Sequence, residues 1–390
     1  MQSFSFLTLC VVLGLLSTVV RSAPIIEDDL HRVELKEQCQ APKTSTNYPL
    51  TGCPRGTVFV SQKHPAAQFR SINAAVSALP DDGSTRTILI DEGVYHEKVI
   101  ISRISPTIFA GITANPRSPL ANRVRMWQST YVNQTNPHET LRNCDAVVLS
   151  VGTGAPLGSS DFKAYNIDFI QRQFFNGEEI TQYQLGPAAA LCVQSSNASF
   201  YGCGFASFQD TLYVGDGAQA FFFRSIVRGM TDQLYGSGKA WFEKVKLLSR
   251  ACGGGITAWR GDPKDASVGV YVSNSEIDRS YDASTVKDLT GRCHLGRPWN
   301  VYSHATFLNT TMSDIVHPAG FRVWGKLQAN FDPKLTRFTE YGSSGPGGDM
   351  TARNMTLERI LDEHEAKQIT YRNVFGGSTP WIDSKPVQDW

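Results

Sequence analysis

The chain has 390 residues, of which 41% are hydrophobic and 19% charged, with 37 Lys and Arg against 36 Asp and Glu. Ordinary hydrophobicity with a net charge near zero excludes disorder over most of the chain, because disorder goes with low hydrophobicity and high net charge. The balance also excludes a general nucleic-acid-binding protein, which needs a strong basic excess. A chain of this length can bury a large core in one domain or two.

The first 22 residues are predicted to be a secretory signal peptide. Residues 6–20 form an apolar run that is short for a membrane span, and the small residues Ser22 and Ala23 suit cleavage. No later segment is apolar enough to cross a bilayer. We therefore expect a secreted, extracellular protein with no membrane contact, a polar and loosely ordered arm over residues 23–55, and one folded domain over residues 56–390.

Removal of the signal peptide leaves seven cysteines, an odd number. A secreted chain permits disulfides, but at least one thiol then lacks a partner in the same chain, and the pairing stays open. No spacing is CxxC, so a zinc site is not expected. The seven are Cys39, Cys53, Cys144, Cys192, Cys203, Cys252 and Cys293. Four sequons fit a glycoprotein on the secretory route, at Asn133, Asn197, Asn309 and Asn354.

Two helices are predicted, one near each end of the folded domain. The first spans about Ser71 to Leu79, with Ser71 as its N-cap and an apolar face. The second begins at Asp362, where Glu365 three residues later completes a capping box.

Short β-rich runs separated by Gly, Asn or Asp fill most of the chain between these helices. The runs are Thr87–Ile90, Lys98–Ile101, Ala146–Val151, Phe162–Phe169, Ala188–Val193, Ser199–Tyr201, Thr211–Val214, Ala220–Phe223, Ala240–Leu247, Ser267–Val272 and Thr306–Asn309. They indicate an all-β protein, either a sandwich or barrel or a stacked β-solenoid. A sandwich of this length would need two domains, and no linker is visible. A unit of about twenty residues favours a parallel β-helix, with the first helix capping one end of the core.

Two aspartates stand 22 residues apart, Asp210 in Gln-Asp-Thr-Leu and Asp232 in Asp-Gln-Leu-Tyr-Gly. If each coil has about that length, the two lie one strand spacing apart, about 4.8 Å, on one surface. Such a pair can divide labour, because one carboxylate stays ionised while the pKa of its neighbour rises. That would suit a nucleophile beside a general acid. Two unrelated turn aspartates are the alternative that the spacing leaves open.

A third cluster is Leu-Gly-Arg-Pro-Trp, which contains Arg297 and Trp299. An arginine can hold a carboxylate by two hydrogen bonds and keep it ionised. The tryptophan offers an apolar face of the kind that stacks on sugar rings. A surface arginine beside a core tryptophan is the plainer interpretation of the same residues.

Taken in order, these blocks resemble the motifs of the pectin methylesterase (pectinesterase) family, which are carbohydrate esterases. The resemblance runs from about Val58 to Trp381. It rests on five blocks, Gly93 to Glu97, Gly186 to Leu191, Gln209 to Leu212, Asp232 to Gly236 and Leu295 to Trp299. Each motif is weak alone, but five in order at fitting separations are specific. The resemblance implies a right-handed parallel β-helix that acts on methylated homogalacturonan, the pectin backbone.

The resemblance also implies roles for individual residues. Asp232 would be the nucleophile that attacks the methyl-ester carbonyl, and Asp210 the general acid and then base. Arg297 would orient Asp232, and Gln209 would donate to the oxyanion. Tyr213 and Trp299 would line the sugar cleft. No metal or other cofactor is expected, and the enzyme is expected to be a monomer that binds pectin and not nucleic acid.

Two departures from the family motifs bear on activity. Pro187 stands where the family usually has a glutamine that helps to form the oxyanion hole, and proline offers no N–H. Losing one such donor typically costs about 10²–10³ in rate. Gln184 could replace it if the loop runs differently. Gln233 and Tyr235 replace phenylalanines, and Gln233 could supply an amide to the cleft or only shape it.

Three functions therefore follow from the sequence. The first is a secreted pectinesterase that releases methanol and de-esterified pectin. The second is a weakly active or non-catalytic pectin-binding relative, and the third an esterase of the same fold that acts on another ester. Polysaccharide lyases and polygalacturonases share the β-helix, but we find neither the acidic clusters of the former nor the paired-Asp glycosidase motifs of the latter.

Overall fold

The computed structural model describes residues 37–43, 48–136, 138–152, 159, 161–179, 185–285, 287–325 and 328–383. In this part of the chain, three large sheets contain eleven, eight and seven strands, and every strand pairing within them is parallel. The predicted signal peptide lies outside the described residues. Within them, no helix is long and apolar enough to cross a membrane.

All three sheets consist of short strands. In each list that follows, consecutive strands are hydrogen-bonded to each other. The eleven-stranded sheet consists of Val58–Val60, Arg86–Ile90, Thr107–Gly111, Phe162–Tyr165, Asn197–Tyr201, Gln219–Phe223, Lys239–Glu243, Gly269–Ser273, His304–Leu308, Arg337–Tyr341 and Arg359–Ile360. The eight-stranded sheet consists of Thr311–Met312, Glu276–Arg279, Lys246–Ser249, Ile226–Gly229, Gly204–Ala206, Ile167–Gln171, Val124–Gln128 and Gly93–His96. The seven-stranded sheet consists of Gly296–Pro298, Thr257–Trp259, Leu234–Gly236, Leu212–Val214, Ala189–Val193, Val147–Val151 and Val99–Ile101.

The remaining elements are short. Phe174–Phe175 and Glu178–Glu179 form an antiparallel ribbon. The α-helices are Ile72–Ala78, Glu363–Gln368 and Tyr371–Val374, and the 3-10 helices are Pro119–Ala121, Gln328–Asn330 and Met350–Ala352.

The chain visits the three sheets in turn and so builds a solenoid. One coil runs through Ala189–Val193, Asn197–Tyr201 and Gly204–Ala206, and the next begins at Leu212–Val214, which pairs with the first strand of the coil before it. The predicted parallel β-helix is confirmed. Its interior is filled by aligned side chains from successive coils, for example the stacked rings of Phe200, Phe222 and Phe242, whose centroids lie 5.0 and 4.4 Å apart.

The predicted helices are confirmed with their caps. The Ser71 side chain accepts a hydrogen bond from the backbone N–H of Ala74, and Asp362 forms the capping box with Glu365. Ile72 belongs to the main hydrophobic core, so the first helix covers the N-terminal end of the solenoid as predicted.

Two predicted strands, Phe162–Phe169 and Ala240–Leu247, are wrong as single elements. Each is divided between two sheets by a left-handed corner residue, Asn166 and Lys244, both at φ 54°. Asparagine tolerates this conformation, but lysine gives no such signal in a sequence. Short runs such as Gly204–Ala206 were not predicted, because three residues are too few to show a period.

Three disulfides join six of the seven cysteines, Cys39–Cys53, Cys144–Cys192 and Cys252–Cys293. The thiol of Cys203 is unpaired and buried, which confirms the expectation from the odd count. The described part of the N-terminal arm is not loose. Cys39 packs on the first coils, and the amide of Gln40 donates to the carbonyl oxygen of Gly111 at 2.8 Å.

Candidate active site

The coil register brings Asp210 and Asp232 to equivalent positions on neighbouring coils. Gln209 pairs with Thr231 in a parallel bridge, and Leu212 pairs with Leu234 three residues later, both with an offset of 22 residues. The two aspartates therefore face each other across one strand spacing, about 4.8 Å. The structure favours this arrangement over two unrelated turn aspartates.

Both aspartates lie at the corner just before their strands, in the left-handed region, with φ 62° at Asp210 and 49° at Asp232. This conformation costs free energy in any residue but glycine, and in this solenoid it recurs at corners such as Asn166 and Lys244. The left-handed turn directs the two carboxylates out of the sheet. Two residues later, Leu212 and Leu234 enter the hydrophobic core. Both carboxylates are nevertheless largely covered, at 7% and 4% residue exposure.

Arg297 holds Asp232 by two hydrogen bonds, Nε to Oδ1 at 3.0 Å and a terminal nitrogen to Oδ2 at 2.6 Å. Its guanidinium lies over the ring of Trp324 at 3.6 Å from the centroid. The glycine run before Thr257 makes room for it, since a Cβ on Gly254 would come within 2.3 Å of Arg297 Cζ. The two hydrogen bonds and the Trp324 ring together fix the orientation of the guanidinium.

Asn143 fixes the other carboxylate. Its Nδ2 donates to Asp210 Oδ2 at 2.5 Å. The neighbouring Cys144 is joined to Cys192, which lies in the strand beside Leu212–Val214. The disulfide therefore secures the loop that carries Asn143 over the site. Sequence reasoning missed this residue, because nothing in its local pattern distinguishes it from other loop asparagines.

The surroundings affect the pKa values of the two carboxyl groups differently. Burial raises the pKa of Asp210 well above its ordinary value, and the nearby Asp232 raises it further, while Asn143 acts in the opposite direction. Burial also raises the pKa of Asp232, but the hydrogen bonds and charge of Arg297 oppose that rise. The surroundings therefore favour the protonated form more strongly at Asp210 than at Asp232, whose carboxylate Arg297 stabilises.

The two aspartates lie in the wall of a cleft. Five of the six residues predicted for the site line it, namely Gln209, Asp210, Asp232, Arg297 and Trp299, together with Gln134, Asn143, Tyr235, Ala258 and Trp324. The indole of Trp299 is 37% exposed, so a face is open to a ligand. Tyr213 is not among the lining residues, and its ring packs behind that of Tyr235 with the centroids 4.9 Å apart.

The substituted motif positions differ in what they offer the cleft. Gln233 is completely buried and donates to Ser249 Oγ at 2.9 Å, so it points into the protein and does not supply an amide to the site. Pro187 is buried beside Gln209, and its carbonyl accepts the N–H of Val132 at 2.8 Å. Gln184 lies outside the described residues.

Comparison with known proteins agrees with the fold and the motifs. The Pectinesterase family model matches residues 157–378. "Probable pectinesterase A" of Neosartorya fischeri is 30% identical over 321 residues, which cover 82% of this chain and 87% of that protein. "Pectinesterase A" of Emericella nidulans is 28% identical, covering 85% and 90%. The pectin methylesterase of Aspergillus niger has a similar structure, with a TM-score of 0.70 at 24% identity, covering 85% of this chain and 98% of that one.

The chain belongs to the pectinesterase family. It is accordingly an enzyme, a carboxylic ester hydrolase, and the resemblance inferred from the five motifs is confirmed.

The raised pKa of Asp210 predicts a pH-dependent cost in stability. When the pKa of a carboxyl group is higher in the folded state than in the unfolded state, the free energy of unfolding falls as the pH rises. The fall begins near the pKa of the unfolded state, about 3.9, and ends near the pKa of the folded state. Asp210→Asn should therefore raise the thermal midpoint more at pH 8 than at pH 5, since each unit of pKa separation corresponds to about 1.4 kcal/mol. Thermal unfolding at both pH values measures this, with the exposed Asp314→Asn as control. A gain that does not change with pH would show that Asp210 is ionised in the folded protein.

Proposed function

We propose that the cleft hydrolyses methyl esters of galacturonate in pectin and releases methanol. The observation that carries the proposal is the asymmetric pair. Asp232 is bound by Arg297, whereas Asp210 on the preceding coil is held by Asn143 in surroundings that raise its pKa. Family membership supports the reaction class. A pectin methylesterase solved in complex with a hexasaccharide has a similar structure, with a TM-score of 0.67, 24% identity and coverage of 84% of this chain and 98% of that one, which supports a sugar chain as ligand.

In the first half-reaction a carboxylate oxygen of Asp232 attacks the ester carbonyl carbon, and the carbonyl electrons move to oxygen. The resulting oxyanion accepts a hydrogen bond from the side-chain amide of Gln209, which lines the cleft beside Asp210. As the intermediate collapses, Asp210 gives its proton to the methoxy oxygen, and methanol leaves. The galacturonyl group is then bound to Asp232 as an acyl-enzyme.

In the second half-reaction Asp210, now ionised, takes a proton from water, and the water oxygen attacks the acyl carbon. Collapse of this second intermediate releases the galacturonate carboxylic acid and returns Asp232 as a carboxylate bound to Arg297. Asp210 ends with the proton it began with. The half-exposed Trp299 is placed to stack on the sugar ring, and Tyr213 supports the cleft through Tyr235.

We also propose that the protein is secreted as a monomer after cleavage near residue 22. Three disulfides among the described residues fit an oxidising compartment, because such bonds are rare in the cytosol.

Methanol release from highly methylated pectin tests the function. The wild type should release methanol, Asp232→Asn should lose at least about 10⁴-fold in kcat, and Asp210→Asn about 10²–10⁴-fold. Asp314→Asn, exposed and outside the cleft, is the matched control. Pectin binding without methanol release by the wild type would establish the binding relative instead. Full activity of Asp232→Asn would show that another group is the nucleophile.

Arg297→Gln tests how Asp232 stays ionised. Arg297 lowers the pKa of Asp232, so its removal should raise that pKa and move the acidic limb of the kcat–pH profile upwards by about 1–3 units. Arg359→Gln, which removes an exposed ion pair with Glu365, should leave the limb in place. An acidic limb that stays unchanged in Arg297→Gln would contradict the assigned role.

A further inference from the structure

The hydroxyl of Tyr235 is buried in the wall of the cleft without a hydrogen-bond partner among the described residues. Tyr235 is 5% exposed. Leaving a buried hydroxyl unpaired costs about 1–3 kcal/mol, so such a group calls for an explanation in the structure or in the reaction. A phenylalanine, as in the family motif, would fill the same space without this cost.

Tyr235 lies in the strand Leu234–Gly236, which begins two residues after Asp232. Within the seven-stranded sheet, Tyr213, Tyr235, Ala258 and Arg297 pair in one row across four strands. The small Ala258 separates Tyr235 from Arg297, which leaves the space over the two aspartates open between them. The ring of Tyr235 is fixed there by Tyr213 at 4.9 Å and by Trp299 at 6.3 Å between centroids.

The polar neighbours of this hydroxyl are already engaged. Asn143 lies beside it, but its amide nitrogen donates to Asp210 at 2.5 Å. Asn143 lowers the pKa of the Tyr235 hydroxyl, as a donor does, so it does not take the phenolic hydrogen. Burial raises the pKa of Tyr235 well above its ordinary value, and the nearby Asp210 raises it further. Both effects favour the protonated hydroxyl, which can donate a hydrogen bond.

The cleft otherwise holds few donors for a developing oxyanion. Pro187, beside Gln209, has no N–H, and Gln233 is turned inward to Ser249. Arg297 is committed to Asp232 by two hydrogen bonds. Two glutamines line the cleft, the exposed Gln134 and Gln209, and only Gln209 is adjacent in sequence to Asp210. Donors aimed at the oxyanion matter because negative charge develops there in the transition state.

We propose that Tyr235 is a catalytic residue whose hydroxyl donates the second hydrogen bond to the ester carbonyl oxygen as it becomes an oxyanion. The inference rests on the proposed esterase function. No proton is transferred, because the hydroxyl only shares its hydrogen with the oxyanion and recovers it when the carbonyl reforms. The substitution of phenylalanine by tyrosine at this position would then compensate in this chain for the proline at 187.

The test is Tyr235→Phe, assayed for kcat and KM in methanol release. Removal of one oxyanion donor should lower kcat by about 10²-fold and leave KM within about twofold, because the bond strengthens only in the transition state. Tyr281→Phe, at an exposed tyrosine outside the cleft, should change neither constant. A thermal midpoint that is raised in Tyr235→Phe, because the unpaired buried hydroxyl is removed, and unchanged in Tyr281→Phe shows that folding is intact.

A second variant separates this inference from a merely structural role. Pro187→Gln restores an amide side chain, so it should recover most of the lost kcat in a Tyr235→Phe background while adding little to the wild type. Unchanged kcat in Tyr235→Phe, or a change confined to KM, would overturn the inference while leaving the esterase function intact. A large loss in Gln184→Ala with none in Tyr235→Phe would assign the donor to Gln184. A wild type that releases no methanol would instead refute the proposed function itself.

Discussion

The constraint on which the site depends is the parallel pairing of one coil with the next. In a solenoid, residues that are far apart in the chain repeat at one strand spacing, about 4.8 Å, wherever the coil length is kept. In this chain one coil of 22 residues brings Asp210 against Asp232, and further coils bring Ala258 and Arg297 into the same row as Tyr235. The arrangement of the proposed site is therefore set by the backbone hydrogen bonds between coils.

Two carboxyl groups this close and this buried oppose folding, and the site contains the groups that offset the cost. Arg297 neutralises Asp232, Trp324 covers the guanidinium, and the glycine at 254 leaves space for it. Among the described residues no cation forms an ion pair with Asp210, which is held by the amide of Asn143 and lies near the charge of Arg297. This unequal support is the physical basis of the proposed division between nucleophile and acid, because it favours ionisation of one group and disfavours that of the other.

Much of this could be predicted from the sequence. The solenoid followed from short strands without helices, the capping helix from Ser71, and the aspartate pair from a spacing equal to one coil. The left-handed corners could not be predicted where the residue is Lys244, because a corner is fixed by the pairing of both flanking strands and not by local preference. Asn143 was missed because its position depends on the loop and on a disulfide whose pairing the sequence left open. The direction of the Gln233 side chain depends on the left-handed turn at Asp232, and the sequence gives no signal for that turn.

The central claim is that Asp210 and Asp232 act as one unit across neighbouring coils, and a double-mutant cycle on kcat measures this most directly. Residues that serve one reaction step together show strongly non-additive losses. The account predicts that the double variant Asp210→Asn with Asp232→Asn releases methanol no more than about threefold more slowly than the slower single variant. Losses that multiply, so that the double variant shows the product of the two single effects, would contradict it.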